Sequence, residues 1–180
     1  MKKNLAIGPL LLMVSAVTIF GQNVVSSSRL KAEEAIRSAI YETTFAALTA
    51  DMKSYKEHAA RHMLNLYKLM YEELIKDTEM VKTFQQNGIK GWEDFMASRV
   101  RQSSRRFASL SRIQIAELAH REANAPITFL SDKEAKTRGV RIVLEDNNWK
   151  ADASEAIKLG LLQNPDNRLG PESRAKIERF

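Results

Sequence analysis

The sequence predicts an α+β protein that is mostly helical, and three features carry that expectation. From Gln22 to Asn87 the chain holds neither glycine nor proline, the two residues that most often end helices. From Trp92 onward, apolar residues recur at helical intervals. After Pro126 the texture changes, and β-branched residues gather in short runs bounded by turn residues. The expected organisation is an N-terminal membrane segment or signal over 1–23, a helical region over 24–125 forming a long hairpin or stalk, and a small mixed α/β region over 126–180.

The chain opens on Met1-Lys2-Lys3-Asn4, a short cationic head, followed by an uncharged apolar run from Leu5 to Phe20 that Gly21-Gln22-Asn23 ends. A charged head before an apolar segment is the pattern of a secretory signal. The lysines stay on the cytoplasmic side while the apolar segment enters the bilayer. The run is shorter than the ~20 residues that a straight spanning helix needs, and Pro9 lies inside it. Adding Val24 and Val25 brings it near spanning length, so a cleaved signal and a retained anchor are both open. Helical continuity past Gln22 favours the anchor. Either way, the expected location is the periplasm or the extracytoplasmic face of an inner membrane.

Ser26, Ser27 and Ser28 are candidate N-caps for a helix, broken at most once, that reaches Asn87. Along it Tyr41, Phe45, Leu48, Met52, Tyr55, Ala59, His62, Leu66 and Leu69 alternate steps of three and four. Such a heptad-like seam calls for a partner helix, in the same chain or in a homodimer. Phe45, Leu48, Met52 and Tyr55 are the residues expected to meet that partner. Gly88 and Gly91 mark a stop and turn. A second helix from Trp92 to about Ala123 is expected to fold back on the first.

In the last third, Ile127–Leu130 and Gly139–Glu145 read as strands. Ser131-Asp132-Lys133-Glu134 reads as a polar connection or helical turn, and Asn147-Asn148 as a turn. Asp152–Leu162 reads as a short helix capped by Asp152 or Ser154, or as a helix giving way to a third strand. Asn164-Pro165-Asp166-Asn167 is a turn, and Gly170-Pro171-Glu172 opens a final helix.

The formal charge of the 180-residue chain is +6. A basic balance often signals nucleic acid, but an exported chain meets anionic headgroups, acidic partners or wall polymers instead, and no nucleic-acid partner is expected. Cysteine is absent, which removes disulfides, thiolate metal sites, cysteine nucleophiles and a lipobox anchor. The sequence has no G-x-S-x-G elbow, no convincing Ser/His/Asp set and no glycine-rich phosphate loop. Catalysis therefore has no support in the sequence, and no cofactor is expected. Paired acids such as Glu72-Glu73 read as solvated helix surface.

Two constellations remain. Arg99, Arg101, Arg105, Arg106 and Arg112, interleaved with Ser103, Ser104, Ser109 and Ser111, could hold an anionic ligand, because guanidinium groups match carboxylate and phosphate geometry. Arg101, Arg105 and Arg106, with Arg141 from the strand region, are the candidate ligand-binding residues. His58 and His62 are four apart, a spacing that puts both on one helix face and could serve a metal. A solvated basic face, and one packed and one solvated histidine, are the plainer alternatives.

The stretch Asn164-Pro165-Asp166-Asn167, followed by Ile177 and Phe180, resembles bacterial extracytoplasmic sensor domains of the PAS or Cache type. In those domains an N-P-x-N turn precedes a helix that carries an acid, then a leucine, and closes near Glu-Arg-Phe. Leu66 to Gly88 resembles the helix that opens Cache-type sensors. The resemblance covers about a quarter of the chain. It implies a long helix after a membrane segment, then a small mixed sheet, with a ligand-sensing role. Ser173 stands where that pattern carries its acid, and the haem-attaching Cys-x-x-Cys-His of many such domains is absent, so no haem is implied. The expected function is a non-catalytic, membrane-tethered sensing or interaction module, or a structural accessory subunit of an envelope complex.

Overall fold

The computed structural model describes residues 8–103, 129–137, 140–163 and 169–180, with side chains over 28–103, 130–136, 140–163 and 169–180. Those residues form an α+β protein that is mostly helical, with one small antiparallel sheet. The chain divides into two compact units, residues 1–35 and 36–180.

In the first unit the described backbone is helical from Gly8, the start of helix α1 (Gly8–Thr49). Ser26–Ser28 lie inside this helix rather than capping its start. An exposed ion pair joins Arg29 Nε to Glu33 Oε1 at 2.9 Å, and Leu30 is exposed. Among the described residues no helix is long and apolar enough to cross a membrane. The side chains of the apolar run 5–20 lie outside them.

In the second unit the helix expected to break at most once breaks three times. The first follows Thr49. Ala50 takes a left-handed φ of 59°, and Asp51 donates its N–H to Ala46 O at 3.0 Å. The Asp51 side chain then accepts from Ser54 N at 3.1 Å and caps α2 (Met52–His58). A carboxylate here satisfies an orphan donor of the new helix. The second break is at Ala59 and Ala60, both extended, before α3 (Arg61–Leu74). The third precedes α4 (Thr78–Gln86), where Asp77 accepts from Glu79 N at 2.8 Å and Met80 N at 3.0 Å.

At the end of α4 the glycine signal is realised as expected. Gly88 has φ +70°. Ile89 N–H reaches Phe84 O at 2.8 Å and Gly88 N–H reaches Gln85 O at 3.1 Å, a Schellman closure. Residues 92–103 form the next helix, α5. It buries Phe95, Met96 and Val100 in the same cluster as Met63, Leu66, Tyr67, Met70 and Leu74 of α3. The second helical stretch therefore does fold back on the first, over the described part.

The strands β1 (Phe129–Leu130), β2 (Glu134–Thr137), β3 (Val140–Glu145) and β4 (Asn148–Asp152) form an antiparallel meander in chain order. β2 and β4 were not expected as strands, since Glu134 and Lys136 in β2, and Asn148 and Lys150 in β4, give little apolar signal. The β3–β4 turn is Asp146-Asn147, one residue before the expected Asn147-Asn148. Both residues have positive φ, 52° and 61°, as a two-residue turn between twisted strands requires. Ala135, Ile142 and Ala151 form one cross-strand row, and that row packs against Ile36 and Ile40 of α1. Two small residues flanking one large one give the helix a shallow seat.

The sheet meets the helical cluster at β4. Ala60 donates its N–H to Ala151 O at 2.8 Å, and Ala59 bridges Ala151 in parallel. The chain then runs through α6 (Ser154–Gln163) and α7 (Pro171–Arg179). α6 is one helix, not a helix giving way to a strand, and Ser154 N–H is accepted by Asp152 Oδ1 at 3.0 Å. α7 starts at Gly170-Pro171, as expected. Proline suits the first helical position because its missing N–H would have no partner there. Leu161 of α6 and Ile177 of α7 complete the larger cluster.

Candidate functional site

A groove of about 610 Å³ lies between α4 and α5, within the size range of small-molecule sites. Its apolar wall is Met80, Phe84, Ile89 and Phe95. Thr83, Asn87, Ser98 and Gln102 bring neutral polar groups, and Arg99 and Arg101 bring the only formal charges in its lining among the described residues. The Schellman turn and the helical spacing set this geometry. Thr83 and Asn87 sit four apart at the end of α4, and Ser98, Arg101 and Gln102 share one face of α5.

Beneath the groove is an aromatic triangle. Tyr71 and Phe84 stack at 5.8 Å, Phe84 and Phe95 tilt at 5.5 Å, and Tyr71 and Phe95 at 6.0 Å. These spacings are those of favourable ring pairs. The Arg99 guanidinium carbon lies 5.3 Å from the centre of the Phe95 ring, within cation–π reach. A smaller cavity of about 340 Å³ shares Phe84 and Ile89 and is closed by Tyr71, Ile75, Val81, Gln85, Gly88 and Lys90.

A second cluster joins α3 to α7. Glu73 is buried, which corrects its expected place on a solvated surface. Lys76 Nζ donates to Glu73 Oε2 at 2.5 Å, Ser173 Oγ to Oε2 at 2.6 Å, and Lys176 Nζ to Oε1 at 3.2 Å. The hydrogen bonds from Lys76 and then Ser173 outweigh burial and hold the Glu73 carboxyl down at about 2. The carboxylate in turn raises the Lys76 ammonium above its ordinary value. A carboxylate so acidic is a poor general base near neutral pH. Here it clamps the C-terminal helix onto α3.

A second buried acid, Asp152, lies in β4. Its Oδ1 receives Ser154 N–H, and its Oδ2 has no hydrogen-bond partner. Arg141 Nη1 stands 3.7 Å from Oδ2, while Arg141 Nε pairs with Glu134 Oε1 at 2.8 Å. Tyr55 and Tyr67 are also buried, and burial pushes both phenols up.

The residues singled out from the sequence fall in different places. Arg101 lines the groove, and Arg141 lies in β3, engaged with Glu134 and Asp152. Arg105 and Arg106, like His120 and Asn164-Pro165-Asp166-Asn167, lie outside the described residues. His58 ends α2 and His62 belongs to α3, so the break between them removes the shared helix face that their spacing implied. The His58 carbonyl accepts from Thr43 Oγ1 at 3.1 Å, and the His62 ring stacks on Phe180 at 4.6 Å. Among the described residues no group of three His, Asp or Glu side chains is placed to hold a metal.

The partner seam is divided as well. Tyr41 and Phe45 are exposed and stacked at 5.9 Å, Leu48 and Met52 are half-buried, and Tyr55 is in the core. The break at Ala50 and Asp51 explains this division, because it turns α2 away from the helical phase of α1. Glu73, Ser173 and Lys176 were missed, although the Glu73/Lys76 spacing is a helical ion-pair signal. Thr83 and Asn87 carried no signal, because only the return of α5 makes their side of α4 a wall.

Comparison with family models, curated proteins and solved structures finds no match for this chain.

Proposed function

We propose that this chain is a non-catalytic ligand-binding module, held at the extracytoplasmic face of a membrane by its N-terminal segment. The groove between α4 and α5 carries this reading: a cleft of about 610 Å³ with an apolar wall and a few polar groups along it. The Lys2-Lys3 head and the apolar run 5–20 support the tether, and the PAS- and Cache-like stretches fit a sensing role. The Glu73 clamp and the arginine groove have binding and packing chemistry, with no activated nucleophile in either.

The test is membrane fractionation of cells expressing the full chain, followed by mild-detergent purification and native mass spectrometry. The chain is expected to stay with membranes through an alkaline wash and to carry a small molecule that is lost on denaturation. A chain released by the wash and free of small molecules overturns the proposal.

The exposed Tyr41–Phe45 pair favours a second reading, an accessory subunit that offers α1 to another protein. Phe45→Ser should then strip a co-purifying protein without unfolding the chain. Unchanged co-purification would remove this reading.

A further inference from the structure

We infer that the ligand of the α4–α5 groove is a small amphiphilic anion, with an apolar body against Phe84 and Phe95 and an anionic head at Arg101. The inference rests on the ligand-binding role and adds the class of ligand. Its ground is the distribution of chemistry around the groove. No described lining residue is acidic, two are arginines, and both arginines come from α5. The apolar residues are contributed by α4, the turn after it and the start of α5: Met80, Phe84, Ile89 and Phe95.

The cleft thus combines an apolar wall with cationic groups that come only from α5. A neutral ligand would leave Arg101 without a complement. A small inorganic anion would leave the aromatic wall uncovered.

The two arginines have separate tasks. Arg99 lies over the Phe95 ring and donates from Nη1 to Gln102 Oε1 at 3.5 Å, so it stiffens the wall. Arg101 is exposed on the same helix and lines the groove. Its planar donor fork suits a carboxylate, phosphonate or phosphate head. Asn87 on the α4 side can bond a remaining oxygen, whereas the Thr83 hydroxyl already donates to Glu79 O at 2.9 Å. The Asn87 side-chain nitrogen already donates to Thr83 O at 2.8 Å, which leaves its carbonyl and second N–H for a ligand.

The experiment is calorimetric titration of the full chain in neutral phosphatidylcholine nanodiscs, where no anionic lipid competes. The probes are 3-phenylpropionate, its neutral counterpart 3-phenylpropanol, and acetate. The expected result is binding of 3-phenylpropionate at least tenfold tighter than 3-phenylpropanol, with no measurable binding of acetate. Arg101→Ala should weaken 3-phenylpropionate about fivefold to tenfold, and Arg101→Glu should abolish its advantage over the alcohol. Because Arg101 is exposed, both variants should keep the parent circular dichroism and melting temperature.

Equal binding of acid and alcohol, indifferent to Arg101, would overturn the anionic head while leaving a ligand-binding groove. Acetate binding as well as 3-phenylpropionate would overturn the apolar body. No binding of any probe, with a small molecule still co-purifying, would overturn this ligand class alone. No binding and no co-purifying molecule would remove the groove as a ligand site altogether.

Discussion

Glu73 in the helical region and Asp152 in the sheet are both buried carboxylates, but the chain treats them differently. Two lysines and a serine converge on Glu73. Asp152 has one backbone N–H on Oδ1, with Arg141 at 3.7 Å from its other oxygen. The same contrast runs through the apolar packing around them. The helical cluster joins side chains from every described helix of the 36–180 unit, whereas the sheet cluster centres on Ile36, Ile40, Ala135, Ile142 and Ala151. The helical region is cross-linked by both packing and charge. Among the described residues the sheet is seated on α1 and tied in through β4 and the end of β3.

The strongest way to break this comparison is to empty each cluster in turn. Leu66→Ala, at a fully buried position in the helical cluster, should lose about 2–5 kcal/mol, read from urea unfolding. Ile142→Ala should lose less, about 2 kcal/mol, because the shallow seat above it can collapse. Equal losses would mean that the sheet is as integral as the helices.

Next in size is Glu73→Gln. It should cost about 1–2 kcal/mol at neutral pH, discounted because both lysine heads remain in solvent. The sign with pH follows from the lowered carboxyl. The folded value is about 2 against an ordinary 4.5. The contribution is therefore complete above about pH 4.5 and is lost as pH falls towards 2. Melting temperatures of Glu73→Gln and its parent should converge over that window. A constant gap would show that the clamp acts by shape and not by charge.

A smaller effect is expected at the entrance to the helical region. Ala50→Gly should gain about 0.5–1 kcal/mol, because a left-handed φ of 59° strains a residue with a Cβ. Smallest of all, Asp152→Asn should change stability by less than about 0.5 kcal/mol. The oxygen that accepts from Ser154 is kept, and the altered atom loses no hydrogen bond, only a 3.7 Å ion pair with a half-exposed Arg141 that stays bound to Glu134. A loss as large as that of Glu73→Gln would place Asp152 on the same footing and end the contrast.

Much of the helical architecture was legible. The turn at Gly88, the return of the helix after Gly91, β3, and the last helix at Gly170-Pro171 were readable because glycine, proline and alternating β-branched residues act through local sterics. Asp51 and Asp77 were also readable as N-caps in principle, yet a continuous apolar seam across Asp51 hid the first. β2 and β4 were not legible, since their polar residues face away from a single buried row. The groove was half legible. Arginines on α5 marked one side, while the α4 side acquires meaning only when the two helices meet.

By itself, then, the sequence determined a helix-rich α+β chain with a charged head, an apolar first segment and turns at its glycines and prolines. The break at Ala59 and Ala60 was decided only by the tertiary structure. Alanine is the best helix former, and neither a glycine nor a proline stands near it. The backbone opens there because β4 offers Ala60 N–H the carbonyl of Ala151, and the Glu145 carboxylate takes Arg61 N–H at 2.9 Å as the cap that Ala60 cannot supply. The small side chains let both alanines be buried against the strand. That junction separates His58 from His62 and ties the sheet to the helices.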